Sequence, residues 1–557
     1  MKKMPVFWIL KQIRKRIPAI ALMTLAQVGH SLLGVCFALG SRGVIDSAVA
    51  GEPEAFFRAC GIQAGIIVGI MITLATVRHL RDRLSADLER DWKRRLLHGL
   101  LHGDYSTVSA YHSGELLNRL NNDVAKVNDG ILSILPNATA MVIRLIAAIA
   151  VLGVLDGLFT TLVLALGLTV ILVTGLVRRR LTELNKQVSV HDGRVSGFLQ
   201  ESMEKLLMVQ AMDVSQEVEA RADHLLADRY AVQRKRKNIA LLTNTGISLL
   251  SYGAGFLALC WCSWQLLMGR MSFGSLTAVI QLVNQLQTPF VNISGVLPQY
   301  VAMTASAERL MELEAIQGEP ASFAEDSAAL YHRMTALGAE NLCFSYNRDV
   351  VLQNAAFSLA KGSFAVITGP SGIGKSTLLK LLLGIFRPES GSLYLDAPEG
   401  RIPLDRSTRQ LFAYVPQGNL LLSGTLRENL TIVRPDATAA EIQEAVYISA
   451  MTDFLADLPQ GLDTVLGENG TGLSEGQAQR LAIARAVLGG APILLLDECT
   501  SALDTETEKK VLTRLHSLPD RTCIAVTHRS AALTFCDWQM DIRDGKISVF
   551  SSSESAQ

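Results

Sequence analysis

The sequence predicts an α-helical polytopic membrane domain, six transmembrane helices with long cytoplasmic extensions, followed by an α/β domain of the P-loop kind. Three observations predict it. Six apolar stretches of membrane-spanning length fall before about residue 305, and none follows. Two of the connections between them are polar and about 50–60 residues long, too long for structureless loops. In the second half, a β-like run leads into a Gly-rich loop of the form GxxxxGKS and then into Leu-rich helical sequence.

Composition agrees with this division. The 557 residues hold 52 Lys+Arg against 52 Asp+Glu, so the net charge is zero, which argues against a nucleic-acid partner. Only 19% of residues are charged and mean hydropathy is +0.27, which excludes a disordered chain. The eight cysteines are scattered and form no CxxC pair, so neither a disulfide framework nor a zinc knuckle is expected. Cys260 and Cys262 are spaced wrongly for zinc and read as small hydrophobes.

A bilayer core about 30 Å thick needs roughly 20 apolar helical residues. The stretches 17–40, 57–77, 131–155, 158–177, 239–268 and 273–303 meet that need. The first follows the basic head KQIRKR but exceeds the 7–15 residues of a signal-peptide core, so it is expected to remain as a span. Basic residues mark one side of the membrane. Lys11, Arg14, Lys15 and Arg16 precede span one, Arg78 to Arg95 follow span two, and Arg178 to Arg180 follow span four. Asp46, Glu52, Glu54 and Asp156 lie in the opposite connections, so both termini are expected in the cytoplasm. The long connections after spans two and four, poor in Gly and Pro, read as antiparallel helices projecting roughly 35 Å.

The membrane domain is expected over 1–310, a linker around Gln317-Gly318-Glu319-Pro320 over 311–335, and the α/β domain over 336–557. There, Phe364–Thr368 leads into Gly369, Pro370, Ser371, Gly372, Ile373, Gly374, Lys375, Ser376 and Thr377. Such a loop wraps a polyphosphate with backbone N–H groups at a helix N-terminus, with Lys375 as a point charge and the Ser376 hydroxyl for Mg²⁺. Ile493–Leu496 then delivers Asp497 and Glu498 at a strand end. Asp497 suits the magnesium, and Glu498 suits the polarisation of an attacking water.

Beyond the P-loop, Leu473-Ser474-Glu475-Gly476-Gln477 resembles the LSGGQ signature of the ATP-binding cassette (ABC) proteins. Tyr414-Val415-Pro416-Gln417 resembles the Q-loop of that family, Ser501–Asp504 its D-loop, Val526-Thr527-His528 its H-loop, and Phe344-Ser345-Tyr346 its aromatic A-loop. Thr464–Glu468 resembles the element that precedes the signature in exporters. The motifs come in family order over essentially the whole chain, which is similar to an exporter-type half-transporter.

The resemblance implies ATP and Mg²⁺ as cofactors and an ATPase coupled to transmembrane movement of substances. It implies that Tyr346 stacks on adenine, that Gln417 reaches Mg²⁺ and water, and that His528 bonds the γ-phosphate. Ser474, Gly476, Gln477 and Asp504 would then act on nucleotide held by another subunit's P-loop. A second half-transporter, homo- or heterodimeric, is therefore expected, in a multi-pass protein of the bacterial cell (inner) membrane. Glu475 departs from the pattern, which has Gly there, and places a carboxylate where a triphosphate would be repelled.

Tyr111–Asp123 and Glu204–Ala211 resemble the exporter's coupling regions, so short crosswise helices are expected near 105–112 and 206–212. The transported substrate is the least legible feature. Gln281, Asn284, Gln285, Thr288 and Asn292 recur on one face of span six; Gln27 and His30 lie in span one, Asn137 and Arg144 in span three. They line a cavity or bond helix to helix. The leading expectation is export of a lipid, peptide or amphipathic small molecule by alternating access. The alternatives are uptake, for instance of a metal chelate, and a nucleotide-gated sensor or channel.

Overall fold

The computed structural model describes residues 5–316, 318, 327–346, 349–418, 421–467 and 472–551. Within helices, the side chains of 170–174, 176, 178, 179, 251, 287–295, 297 and 530 lie outside that description. The chain divides into two units: residues 1–101 with 112–315, and residues 102–111 with 316–557.

The first unit is helical. A short helix α1 (Pro5–Gln12) precedes α2 (Ile17–Val49), whose start is set by Pro18 in its first turn. Then come α3 (Pro53–His102), α4 (Tyr105–Ser109), which belongs to the second unit, and α5 (Ser113–Asn118). A π-helical turn, Arg119–Asp123, leads into α6 (Val124–Leu155). The unit is completed by α7 (Gly157–Glu204), α8 (Leu206–Ala211), α9 (Ser215–Leu267) and α10 (Phe273–Glu314).

The six apolar stretches fall on α2, α3, α6, α7, α9 and α10. By length and hydropathy, Arg14–Val49, Pro53–His102, Ser113–Leu155 and Ser215–Leu267 are each able to cross a membrane. The other two spans, on α7 and α10, run over side chains outside the described residues. Thr288 and Asn292 fall there as well. The short helices expected near 105–112 and 206–212 are α4 and α8.

Polar groups fix the helix ends. Asp156 caps α7 by accepting from Phe159 N and also receives the Trp261 indole N–H at 2.7 Å. Asp46 near the end of α2 accepts from Ser272 Oγ and Gly274 N at the start of α10. A Cβ on Gly274 would lie 2.3 Å from Arg42 O, so this junction closes only around a glycine. Large apolar side chains such as Leu25, Phe57, Val154 and Leu242 stay exposed, as a lipid-facing surface requires.

The second unit holds α11 (Ser327–Arg333), β1 (Ala336–Tyr346), β2 (Asp349–Ala360), β3 (Phe364–Thr368), α12 (Lys375–Leu382), β4 (Ser390–Ala397), β5 (Gly400–Pro403) and β6 (Phe412–Val415). After them come β7 (Gly424–Thr425), α13 (Leu426–Thr431), α14 (Ala439–Ile448), α15 (Thr452–Asp457), β8 (Val465–Leu466) and α16 (Glu475–Leu488). The chain ends with β9 (Ile493–Asp497), α17 (Thr505–His516), β10 (Thr522–Val526), α18 (Ser530–Leu533), β11 (Trp538–Arg543) and β12 (Lys546–Ser551). One antiparallel sheet runs β2-β1-β4-β5. A second runs β12-β11-β3-β10-β9-β6, parallel except at the β11–β12 edge.

The central strands are apolar throughout because both faces of that sheet are covered. Alternation sorts their side chains. Val366, Leu494, Leu496 and Ala525 join the core with α16 and α17, while Ile367, Leu495, Ile524 and Val526 join the core with α12 and the antiparallel sheet. α4 packs in this unit through Tyr105, whose ring meets Phe386 edge-on at 5.9 Å. All eight cysteines are free, and four of them are buried.

Candidate nucleotide site

The site grows from the carboxyl ends of β3 and β9, neighbours of β10 in the parallel sheet. After β3 the backbone turns through positive φ at Gly369, Gly372 and Gly374 before α12 begins. A Cβ on Gly374 would meet Val351 Cγ1 at 2.2 Å, and one on Gly369 would meet Ile542 O at 2.7 Å. Both positions exclude a side chain, so the loop lies close against the sheet. The Lys375 ammonium curls back into it and donates to Gly369 O and Pro370 O, each at 2.9 Å. Burial pushes this lysine below its usual pKa, against the opposing pull of Glu498 and Asp497. Ser371, Gly372 and Ile373 form the turn between the glycines.

Asp497 ends β9 at 1% exposure. Ser376 Oγ donates to its Oδ1 at 2.9 Å and Tyr414 OH to its Oδ2 at 3.0 Å. Burial pushes its pKa up, and the two hydrogen bonds pull the other way without offsetting it. Burial beside Asp497 likewise pushes the Tyr414 phenol up. Glu498 follows with φ of 47°, a left-handed backbone rare outside Gly and Asn. It is held there by its N–H, which donates to Val526 O at 3.0 Å. Its carboxylate accepts from Gln417 Nε2 at 2.8 Å and stands 3.5 Å from His528 Nε2. Loops after β6, β9 and β10 thus converge on one carboxylate.

Tyr346 approaches from β1. Its hydroxyl is 3.2 Å from Thr377 Oγ1, and its ring meets Phe344 and Phe386 nearly at right angles. At 40% exposure it leaves part of the ring open to a stacking partner.

Ser474, Gly476, Gln477 and Asp504 gather elsewhere. Ser474 caps α16 in a capping box with Gln477, and Asp504 caps α17 by accepting from Thr507 N. These backbone bonds hold the Asp504 carboxyl below its usual pKa. Ser474, Glu475, Gly476, Arg480 and Asp504 line a cavity of about 480 Å³, and no P-loop residue lines it. A Cβ on Gly476 would lie 2.8 Å from Ala502 O, so glycine sets the approach of α16 to the loop before α17. Glu468 lies outside the described residues.

Sequence reasoning overlooked two partners. Tyr414 was read as part of a loop motif, yet it holds the second oxygen of Asp497. Arg529, adjacent to His528, reaches Leu503 O, Ser501 O and the buried Glu508. Only its adjacency to His528 could have singled it out, because its partners are not near it in sequence.

Two family models match this chain. The model of the ABC transporter transmembrane region matches residues 20–290, and the ABC transporter model matches residues 352–501. The chain is 31% identical over 472 residues to the ATP-dependent lipid A-core flippase of Chromobacterium violaceum, covering 83% of this chain and 80% of that protein. It is 30% identical over 389 residues to the cyclolysin secretion/processing ATP-binding protein CyaB of Bordetella pertussis, covering 69% of this chain. That match spans about half, 54%, of the relative's own length. The fold is similar to that of a bacterial Atm1-family ABC exporter with ATP bound, with a TM-score of 0.80 and 24% identity over 98% of this chain and 96% of that one. Transmembrane region and nucleotide-binding region thus lie in one polypeptide, and the chain belongs to the ABC transporter family.

Proposed function

We propose that the protein is an ATP-hydrolysis-driven transporter working as a dimer of half-transporters by alternating access, and that it exports a lipid, peptide or amphipathic small molecule. The observation that carries this reading is Glu498 held between Gln417 and His528 beside the Ser376–Asp497 pair. A carboxylate so placed can orient and polarise a water, accepting its proton as the water attacks the γ-phosphate. On this reading Lys375 exchanges two backbone carbonyls for phosphate oxygens, His528 donates to the γ-phosphate, and Tyr346 stacks on adenine.

Ser376 Oγ and Asp497 Oδ1 are hard oxygen donors 2.9 Å apart, with the Gln417 amide on the same site through Glu498, and such a donor set fits Mg²⁺. Bound there, Mg²⁺ would supply charge neutralisation of the nucleotide's phosphates.

The cavity beside Ser474 and Asp504 has no P-loop residue of its own chain, which supports the reading that it serves nucleotide on a second half-transporter. Exposed apolar residues on and beside α8, Leu207 at 81% and Met212 at 65%, fit docking on that partner. Basic residues on one side of the spans favour cytoplasmic termini in the cell membrane.

Within the membrane unit, Gln27 donates to Asn137, Arg144 to Ser31, and Gln285 to Gly34 O, so polar groups link α2 with α6 and α10. Such a seam suits a substrate with a polar head. The test is purified protein in sealed vesicles. ATP-dependent movement of an amphiphile with stimulated hydrolysis supports the reading. Hydrolysis without movement points to a sensor, and movement toward the cassette side points to uptake.

A further inference from the structure

The amino-terminal helix frames a second binding site that nucleotide chemistry does not use. One side of α1 is buried: Trp8, Ile9 and, just beyond it, Ile13. Another side is apolar yet exposed, with Phe7 at 70% and Leu10 at 49%. A short helix with an exposed apolar stripe beside a run of Lys and Arg lies in the plane of a membrane interface. Specific contacts hold it there. Trp8 meets Trp92 of α3 at 4.9 Å between ring centroids, and its indole N–H donates to Glu314 Oε2 at the end of α10 at 2.5 Å. The Gln12 amide donates to the same carboxylate.

A cavity of about 1040 Å³ lies between this helix, the turn after it and α3. Lys11, Arg14, Lys15, Arg16, Arg94 and Arg95 converge on it. The acids at its wall are Asp91 and Glu314, and both are engaged. Asp91 pairs with Arg16, which also pairs with Asp87; Glu314 is taken by Trp8 and Gln12. Arg95 donates to the Gln12 amide oxygen. Lys11, Arg14, Lys15 and Arg94 make no ion pair among the described residues, and the six cations outnumber the two carboxylates at the cavity wall. Leu88, Trp92, Leu96 and Leu313 give that cavity an apolar floor. Lys11 to Arg16 stand at the start of the first candidate span, and juxtamembrane clusters of Lys and Arg attract anionic lipid.

We propose that this cavity binds the phosphate-bearing headgroup of an anionic phospholipid from the leaflet on the amino-terminal side. The four free cations take the phosphate oxygens, and the acyl chains lie along Phe7 and Leu10. A soluble polyanion would satisfy the cations but would leave the apolar stripe of α1 without a neighbour, so the two features together select a lipid. The proposal does not depend on nucleotide turnover.

The test is native mass spectrometry of the full chain in detergent, titrated with phosphatidylglycerol, phosphatidylcholine or inorganic pyrophosphate. The wild type is expected to take up phosphatidylglycerol about tenfold more readily than phosphatidylcholine. K11Q/R14Q/K15Q/R94Q is expected to lose that preference. R234Q/K235Q/R236Q/K237Q, which removes four charges from α9 instead, is expected to keep it. No preference in the wild type, or equal loss in both variants, overturns the site. Displacement of phosphatidylglycerol by equimolar pyrophosphate overturns the lipid assignment.

Discussion

Glu498 Oε2 accepts a 2.8 Å hydrogen bond from Gln417 Nε2, joining the loop after β6 to the end of β9 across 81 residues of chain. With His528 Nε2 3.5 Å from the other oxygen, the carboxylate is held from two sides. Glu498→Gln keeps the shape and loses the base. Hydrolysis is expected to slow about 10²–10⁴-fold while ATP affinity changes little. Steady-state ATPase and equilibrium nucleotide binding on the same preparation check it; a variant that turns over normally removes Glu498 from the role of base.

Lys375 is 6% exposed and bonded to two carbonyls of its own loop. Lys375→Ala removes the charge and leaves Gly369 O and Pro370 O to solvent. Losing a charged donor to phosphate is expected to weaken ATP binding by about 10–100-fold. Titration with a fluorescent ATP analogue measures it, and unchanged affinity would remove the lysine from the phosphate site.

Much of this arrangement was legible because it is local. The glycines after Phe364–Thr368 announce a turn that only they can make, and Ile493–Leu496 is apolar because both faces of β9 are covered. Short helices at α4 and α8 followed from the resemblance of the stretches around them to exporter coupling regions. What was not legible joins distant residues. Tyr105 interrupts the helical unit's sequence yet packs on Phe386, and no local periodicity encodes that edge-on contact. Asp123 meets Arg309 across 186 residues. The helical reading of the connection after span two was local as well, and α3 runs on through it to His102.

Asp497 gives a pH prediction. Its folded pKa lies above the usual carboxylate value because it is buried, so the native state binds the proton more tightly than the unfolded chain does. Stability therefore falls as pH rises through the window from the ordinary carboxylate pKa to the raised one, and the cost is fully present above it. Asp497→Asn removes the cost. The variant is expected to melt higher than the wild type at neutral pH, with the gap closing as pH falls into the acid range, and to lose hydrolysis. Thermal melts across pH without nucleotide test it; a gap independent of pH, or a less stable variant, contradicts the assignment.

Gly476 lies within α16, where alanine would favour the helix by about 1 kcal/mol. The added methyl would nevertheless lie 2.8 Å from Ala502 O, and overpacking of that kind costs about 1–3 kcal/mol. Gly476→Ala is therefore expected to lose less than about 2 kcal/mol of stability. Its cavity lies apart from its own P-loop, so ATP binding should persist while turnover drops at least about tenfold. Loss of binding in step with turnover would place the signature at its own chain's nucleotide instead.

Asp123 is wholly buried at the π-helical turn, where Arg309 clasps both its oxygens at 2.6 and 2.7 Å and Ser306 donates at 2.9 Å. Next to it, Arg119 bonds Glu115, Glu312 and Arg309 O, so charged contacts fasten the turn to the end of α10. Removing one partner of a buried pair strands the other, which costs about 3–5 kcal/mol, whereas removing both leaves nothing unpaired. Arg309 keeps 40% of its side chain exposed, so water can reach part of the pair and the lower end applies. Arg309→Met is expected to destabilise the protein by about 3 kcal/mol, and Asp123→Asn with Arg309→Met by less than half of that. Thermal unfolding of the whole chain in detergent measures both. A double variant as unstable as the single one would show that the geometry of the turn, and not the stranded carboxylate, carries the cost.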